Sequence, residues 1–134
     1  MKTTRSIAAL FLIAALYDAG LGAAFLLAPG PVYRLADVPP PNHWGYVQFP
    51  AALLLIFALM FVAIARDPIK NRDLIIYGIL LKLSYCGMVF WYWFTAGIPD
   101  LWKPFAVIDL VFGALFLWSY RAVGVWSDTA SQRP

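Results

Sequence analysis

Three ionisable residues lie inside long apolar runs, and the length of those runs restricts what the chain can fold into. The runs cover residues 6–27, 45–65, 74–94 and 101–120. A helix rises about 1.5 Å per residue, so each run is long enough to cross about 30 Å of hydrocarbon. Membrane strands would need alternating polar and apolar residues, which these runs lack. The sequence predicts an all-α polytopic membrane four-helix bundle, with one domain over residues 1–126 and a short polar tail over 127–134.

The composition is typical of a protein embedded in lipid. Apolar residues make up 63% of the 134-residue chain and charged residues 13%, with a mean hydropathy of +0.75. Soluble domains average about 25% charged residues. The net charge of +3 does not indicate nucleic-acid binding, because the basic residues flank the apolar runs and form no patch. We expect the lipid bilayer, and no nucleic acid, as a partner.

The first run begins like a secretory signal, with basic residues before an apolar stretch. Asp18 interrupts that stretch, which then continues to Leu27 without a small-residue cleavage site. We therefore expect the first helix to be retained.

Basic residues are distributed unevenly between the two sides of the expected bundle. Only Arg34 and Lys103 lie in the first and third connections. The termini and the second connection contain Lys2, Arg5, Arg66, Lys70, Arg72, Arg121 and Arg133. Positive charge concentrates on the cytoplasmic side of membrane proteins. The sequence therefore predicts a multi-pass protein of the cell inner membrane with a cytoplasmic N-terminus and C-terminus.

Aromatic residues gather near the ends of the runs. On the outer side these are Tyr33, Trp44, Tyr46, Trp91, Tyr92, Trp93 and Trp102, and on the inner side Trp118, Tyr120 and Trp126. Tyr and Trp prefer the membrane–water boundary, so two interfacial belts are the first interpretation. The alternative is that the denser outer group lines a ligand pocket.

The longest irregular segment, residues 28–44, is rich in proline. Its residues 32–36 are predicted to form a short interfacial helix. The proline content favours a stiff segment over the outer end of the bundle. Whether this segment is a lid or only a connection is open at this point.

The ionisable residues inside the runs are Asp18, Lys82 and Asp109. Counting from the outer helix ends puts the aspartates ~13 Å and ~10 Å deep, and the lysine ~18 Å deep with a stem that can carry its ammonium outward. All three can thus meet in the outer half of the membrane, facing the bundle interior, because contact with lipid is costly. Small residues one turn on either side of Asp18, Ala14 and Gly22, predict close approach of another helix.

Two further residues complete the predicted polar site. Tyr85 lies one turn from Lys82 on the same helix face and is expected to hydrogen-bond an aspartate. Gln48, near the outer start of the second helix, is expected to add a donor above the carboxylates.

The charges of this site do not balance, since full ionisation leaves one negative charge in excess. Our hypothesis is that Lys82 pairs with one aspartate, while the other is protonated or meets a cation or a ligand. Two interpretations remain open: a salt bridge that fixes helix packing, or a site for a ligand or a proton.

No catalytic constellation is found in the sequence. Cys86 is the sole cysteine and His43 the sole histidine, so neither a cysteine pair nor a metal-ligand cluster is expected. Ser84 lies two positions from Lys82 and faces another direction on a helix. Phosphate-binding loops and nucleophile elbows are absent from the sequence. We expect no cofactor and no metal, and leave enzymatic activity uncertain but disfavoured.

The chain resembles the DoxX-like group of small bacterial four-helix membrane proteins. The resemblance rests on Gly20-Leu21-Gly22 through Ala28-Pro29 at the end of the first helix, on the short segment ending near Val38, and on the lone carboxylate Asp109 in the fourth helix. It implies the same topology. Some members of the group are accessory subunits of membrane redox assemblies, but the resemblance assigns no catalytic residue here.

The functional prediction is a non-catalytic accessory or scaffold component that binds a lipid-like or quinone-like molecule in the outer half of the bundle. Its expected partners are a membrane protein complex or further copies of itself, and a hydrophobic small molecule. The alternative is a small proton-coupled transporter that acts as a dimer, since Asp18 is a carboxylate in the first helix.

Overall fold

The fold of residues 2–132, as described by a computed structural model, consists of helices and connections. The helices are α1 (Lys2–Leu27), α2 (Pro29–Leu35), α3 (Gly45–Arg66), α4 (Arg72–Phe94) and α5 (Lys103–Ser131), with a 3₁₀ turn over Asp100–Trp102 before α5. No strand occurs within this part of the chain. The predicted all-α class is confirmed, and four of the helices are long and apolar enough to cross a membrane.

The helix ends follow from proline and from side chains that bind free carbonyls. α1 stops just before Pro29, which opens α2, and α3 stops before Asp67 and Pro68. In the turn to α4, Asn71 Nδ2 donates to the carbonyl of Ala63 at 2.9 Å. The α4–α5 connection turns at Gly97, whose φ of 85° suits a residue without a Cβ.

One predicted boundary changes, and one helix extends beyond its apolar run. The short outer helix covers Pro29–Leu35, where residues 32–36 were expected, because proline is well suited to a first helical turn. α5 does not stop at residue 120 but continues to Ser131, so the polar tail starts as helix. No proline interrupts the chain there. The expected interfacial position of the Trp126 side chain, and the position of Arg133, lie outside what the structure describes.

The long helices form two tightly packed pairs. α1 lies mainly against α3, and α4 lies mainly against α5. The pairs meet in an aromatic core, where the Phe116 ring stacks on Phe11 at 4.5 Å between centroids and contacts Phe61 edge-on at 5.2 Å. On the side of the termini, Arg72 of α4 donates through Nε to the Tyr120 carbonyl of α5 at 3.1 Å. Its guanidinium also lies 3.8 Å from the Tyr120 ring centroid.

The polarity of the bundle is inverted relative to that of a water-soluble protein. Large apolar side chains cover the outside; Leu27 and Leu16, for example, are 81% and 74% exposed. Charged side chains are inside, with Asp18 and Lys82 each 1% exposed. In soluble proteins, buried charges and broad exposed apolar surfaces are both unusual.

The outer end of the bundle is closed by α2. Tyr33 of α2 is buried there, edge-on to Trp44 at 5.2 Å and to Trp102 at 5.9 Å. Phe25 of α1 stacks on Trp102 at 5.6 Å. We call Phe25, Tyr33, Trp44 and Trp102 the outer aromatic cluster. The proline-rich segment is therefore packed against the helices rather than free.

The close approach of α1 and α3 depends on Gly22, as the small-residue pattern predicted. A Cβ on Gly22 would lie 2.8 Å from the Ala51 carbonyl oxygen, whereas a Cβ on Gly20 would have no neighbour within 4 Å.

We expect Gly22→Ala to lower the free energy of unfolding by about 1–3 kcal/mol, because the backbone of α3 at Ala51 would have to move away from α1. Thermal unfolding in one detergent measures this.

The matched control for that prediction is Gly20→Ala, which should leave the free energy of unfolding unchanged or raise it by up to about 1 kcal/mol. Equal destabilisation by both substitutions would contradict the packing described for α1 and α3.

Candidate functional site

The predicted ionisable residues meet in the interior, in an arrangement we call the ion triad: Asp18, Lys82 and Asp109. Lys82 Nζ donates to Asp18 Oδ1 at 2.7 Å and lies 3.0 Å from Asp109 Oδ1. The hypothesis of a single paired aspartate is thus too narrow, since the ammonium contacts both carboxylates. Lys82 is on α4, Asp18 on α1 and Asp109 on α5, so the triad connects the two helix pairs.

Aromatic rings surround the ammonium of Lys82. The ring centroids of Tyr17, Phe112 and Phe61 lie 5.4, 5.3 and 5.8 Å from Nζ, within the range of cation–π attraction. Sequence analysis did not single out Tyr17 as part of the site. The available signal was its place beside Asp18 inside an otherwise aliphatic stretch of α1.

Three polar atoms of the site are buried without a hydrogen-bond partner among residues 2–132: the Tyr17 hydroxyl, Asp18 Oδ2 and Asp109 Oδ1. Asp109 Oδ1 is close to Lys82 Nζ but outside hydrogen-bond geometry. A buried polar group left unpaired costs about 1–3 kcal/mol, and more if it is charged. The site therefore retains unused hydrogen-bonding capacity.

A cavity of about 530 Å³ lies between the ion triad and the outer aromatic cluster. Tyr17, Asp18 and Asp109 form its inner end, whereas Phe25, Tyr33 and Trp102 form its outer end. Its side wall is open between α3 and α4, where it is lined by exposed residues of both helices, namely Tyr46, Pro50, Leu53, Ser84 and Met88. We call this cavity the lateral cleft. The weak contact between α3 and α4 accounts for the opening.

The remaining predicted site residues have other partners. The Tyr85 hydroxyl donates to the Trp102 carbonyl at 3.0 Å, and Gln48 Nε2 donates to the Leu26 carbonyl at 3.1 Å. The Tyr85 hydroxyl therefore bonds a main-chain carbonyl instead of the expected aspartate, and the Gln48 amide bonds the end of α1. The Leu26 carbonyl is free because α1 ends one residue later. Tyr85 nevertheless lines the lateral cleft.

Some outer aromatic residues line a pocket and others form an interfacial belt, so each of the two interpretations of the sequence applies to part of the group. Tyr33 and Trp102 line the lateral cleft from the inside, as the pocket interpretation expects. Trp91 and Tyr92 are exposed on α4, as an interfacial belt requires. Tyr46 belongs to both groups, since it is exposed and lines the opening of the cleft.

Cys86 and His43 have ordinary structural roles. Cys86 is buried, and its Sγ donates to the Ala106 carbonyl at 3.2 Å. His43 Nδ1 accepts a hydrogen bond from the Gly45 amide at 2.9 Å. Across the described residues, no group of three or more His, Cys, Asp or Glu side chains is placed to hold a metal ion.

The ion triad should contribute strongly to stability through its central cation. Lys82→Met would leave two carboxylates buried without a counter-charge, and we expect it to lower the free energy of unfolding by about 3–5 kcal/mol. The matched control is Lys103→Met, which removes the partner of the well-exposed Asp100 and should change stability by less than about 1 kcal/mol.

Thermal unfolding of both variants in one detergent is the measurement. The triple variant Asp18→Asn, Lys82→Met, Asp109→Asn removes all three charges and should recover much of the lost stability, because no unpaired charge remains buried. If Lys82→Met and Lys103→Met behave alike, the ion triad does not hold the helix pairs together.

Comparison with models of known protein families, with curated proteins and with solved structures finds no match. The resemblance to the DoxX-like group stays a prediction.

Proposed function

We propose that the protein is a multi-pass protein of the inner membrane, with α1, α3, α4 and α5 as spanning helices and both termini in the cytoplasm. The inverted polarity of the bundle and the lengths of these helices support insertion. The orientation is supported by the excess of Lys and Arg at the end of the bundle that holds the termini and the α3–α4 turn.

The proposed topology is tested by labelling single cysteines in intact cells. In a Cys86→Ala background, cysteines replacing Asn42 or Ala96 should react with a membrane-impermeant maleimide. A cysteine replacing Lys70 should react only after the membrane is permeabilised. All three positions are exposed in the structure. The reverse pattern would invert the topology, and equal labelling of all three before permeabilisation would contradict insertion.

We infer that the function of the protein is to bind one amphiphilic molecule of lipid-like or quinone-like size in the lateral cleft, as a non-catalytic accessory or scaffold component. The cleft is the observation that carries this inference. Its volume of about 530 Å³ is within the range of about 300–1,000 Å³ typical of small-molecule sites. Its lining is mostly apolar with a few polar groups at one end, which is the usual composition of such sites.

The opening of the cleft supports a ligand that arrives from the bilayer. It lies between α3 and α4, on the sides of helices that are proposed to face lipid, whereas α2 and the outer aromatic cluster cover the outer end. An apolar molecule can thus enter sideways without crossing water.

The contacts of Asp18 favour binding over proton-coupled transport. A carboxylate that exchanges protons with substrate during transport must be free to do so, but Asp18 Oδ1 accepts a 2.7 Å bond from Lys82. Lys82 also lies close to Asp109. A carboxylate held by these contacts suits a binding protein better than a proton-coupled transporter.

Blocking the cleft should remove the bound molecule. Ser84→Trp places an indole at the opening, and we expect the variant to lose most of the amphiphile that co-purifies with the unaltered protein in mild detergent. Leu83→Trp is the matched control, because Leu83 is an exposed neighbour on α4 that does not line the cleft. Native mass spectrometry measures the occupancy.

Recovery of the unaltered protein without any bound molecule, both at native expression level and after addition of bacterial lipid extract, would contradict the proposed binding function. Equal occupancy in Ser84→Trp and Leu83→Trp would place the bound molecule outside the lateral cleft.

A further inference from the structure

Resting on the proposed binding function, we infer that the lateral cleft selects an amphiphile whose polar end is a protonated amine, held at the inner end of the cleft by Asp18, Asp109 and Tyr17. Two features carry this inference. The first is a pair of buried carboxylates that share a single lysine, with Asp18 Oδ2 left without a hydrogen-bond partner among residues 2–132, and the second is a cavity walled by aromatic rings.

The inner end of the cleft is lined by the two aspartates of the ion triad and not by its lysine. Asp18 and Asp109 line the cleft, whereas Lys82 is absent from its described lining. Asp18 Oδ2 has no hydrogen-bond partner in the described part of the chain, although Asp18 is 1% exposed. Asp109 is 8% exposed, and its Oδ1 also lacks a hydrogen bond there. Asp18 Oδ2 thus has unused acceptor capacity, whereas Asp109 Oδ1 shares the ammonium of Lys82 at 3.0 Å.

The charge of the ion triad favours a cationic occupant. Two ionised aspartates and one lysine leave one negative charge, and an amine would bring the total to zero. Among the described lining residues there is no Lys and no Arg. An anionic headgroup would therefore enter a region of low dielectric constant beside two carboxylates without a partner, which is strongly unfavourable.

The walls of the cleft also suit a cation with an apolar body. Tyr17, Tyr85, Phe105, Trp102 and Tyr33 contribute aromatic rings to the lining. The faces of such rings attract organic cations, most strongly where water is excluded. The same lining accepts an alkyl or aryl body, which extends through the opening between α3 and α4.

A quinone is a weaker fit at the inner end, because its carbonyl oxygens need donors. The Tyr85 hydroxyl donates to the Trp102 carbonyl, and the Ser84 hydroxyl donates to the Leu81 carbonyl at 2.7 Å. Of these three hydroxyls, that of Tyr17 has no hydrogen-bond partner within residues 2–132. An amine, in contrast, supplies further donors to two carboxylates that share a single lysine.

The test uses the full-length protein in nanodiscs of zwitterionic lipid and three probes with one alkyl chain: tetradecylamine, tetradecanol and tetradecanoate. Binding is measured as the rise in unfolding temperature at equal mole fraction of probe, because a ligand that binds only the folded state stabilises it. We expect tetradecylamine to bind about tenfold more tightly than tetradecanol, the size of effect expected for a hydrogen bond to a charged group. Tetradecanoate should give no rise.

The decisive variant is Asp109→Asn, which leaves the Lys82–Asp18 hydrogen bond in place and is therefore expected to fold. It should lose the preference for tetradecylamine over tetradecanol. Tyr17→Phe, which removes only a hydroxyl, is the second variant and should weaken tetradecylamine binding severalfold. Asp100→Asn, at an exposed aspartate that does not line the cleft, is the control for surface charge and should behave as the unaltered protein.

Different outcomes would contradict the amine preference and the binding function. If tetradecanol and tetradecanoate bind the unaltered protein as tightly as tetradecylamine, and Ser84→Trp abolishes all three effects, the cleft binds amphiphiles but does not select amines. If Asp100→Asn weakens tetradecylamine binding as much as Asp109→Asn does, the preference is a surface effect and the inference is overturned. If no probe stabilises the unaltered protein, the binding function itself fails.

Discussion

The contact of one lysine with two aspartates is the constraint on which the rest of this bundle depends. Removing an ion from water is expensive, and a buried ion is tolerated only where opposite charges and hydrogen bonds are placed precisely enough to offset that loss. Lys82 meets both Asp18 and Asp109 only if α1 and α5 bring their aspartates to α4 at one rotation and one height. Apolar packing alone would permit slippage of the helix pairs, so the ion triad sets their register.

The same three residues connect the stability of the bundle with its proposed function. Among the described residues, Asp18 Oδ2 and the Tyr17 hydroxyl have no hydrogen-bond partner, and Asp109 Oδ1 has only its ion pair with Lys82. These atoms belong to side chains at the inner end of the lateral cleft. A fully satisfied network would hold the helices equally well and would offer nothing to a ligand. The incomplete satisfaction is what distinguishes a binding site from a packing device.

Much of the fold could be predicted from the sequence, because its signals are local. The lengths of the apolar runs predicted the four long helices, and Pro29 predicted the end of α1. Counting residues from the helix ends predicted that Asp18, Lys82 and Asp109 lie at one depth in the bundle. The partners of Tyr85 and Gln48 could not be predicted, since they depend on which carbonyls the helix ends leave free. A pocket near the outer aromatic residues was one interpretation of the sequence, but its side opening could not be predicted. The opening follows from the pairing of α1 with α3 and α4 with α5, which no periodicity in the sequence encodes.

The sideways opening of the cleft has a consequence for how tightly a ligand must be held. In the proposed membrane location, the bilayer is the reservoir from which the site fills, and an amphiphile concentrates there far above its level in water. Occupancy then depends on the mole fraction of the molecule in the surrounding leaflet and on its competition with ordinary lipid. A site of modest intrinsic affinity would stay filled under these conditions and would respond to changes in membrane composition rather than to changes in the aqueous phase.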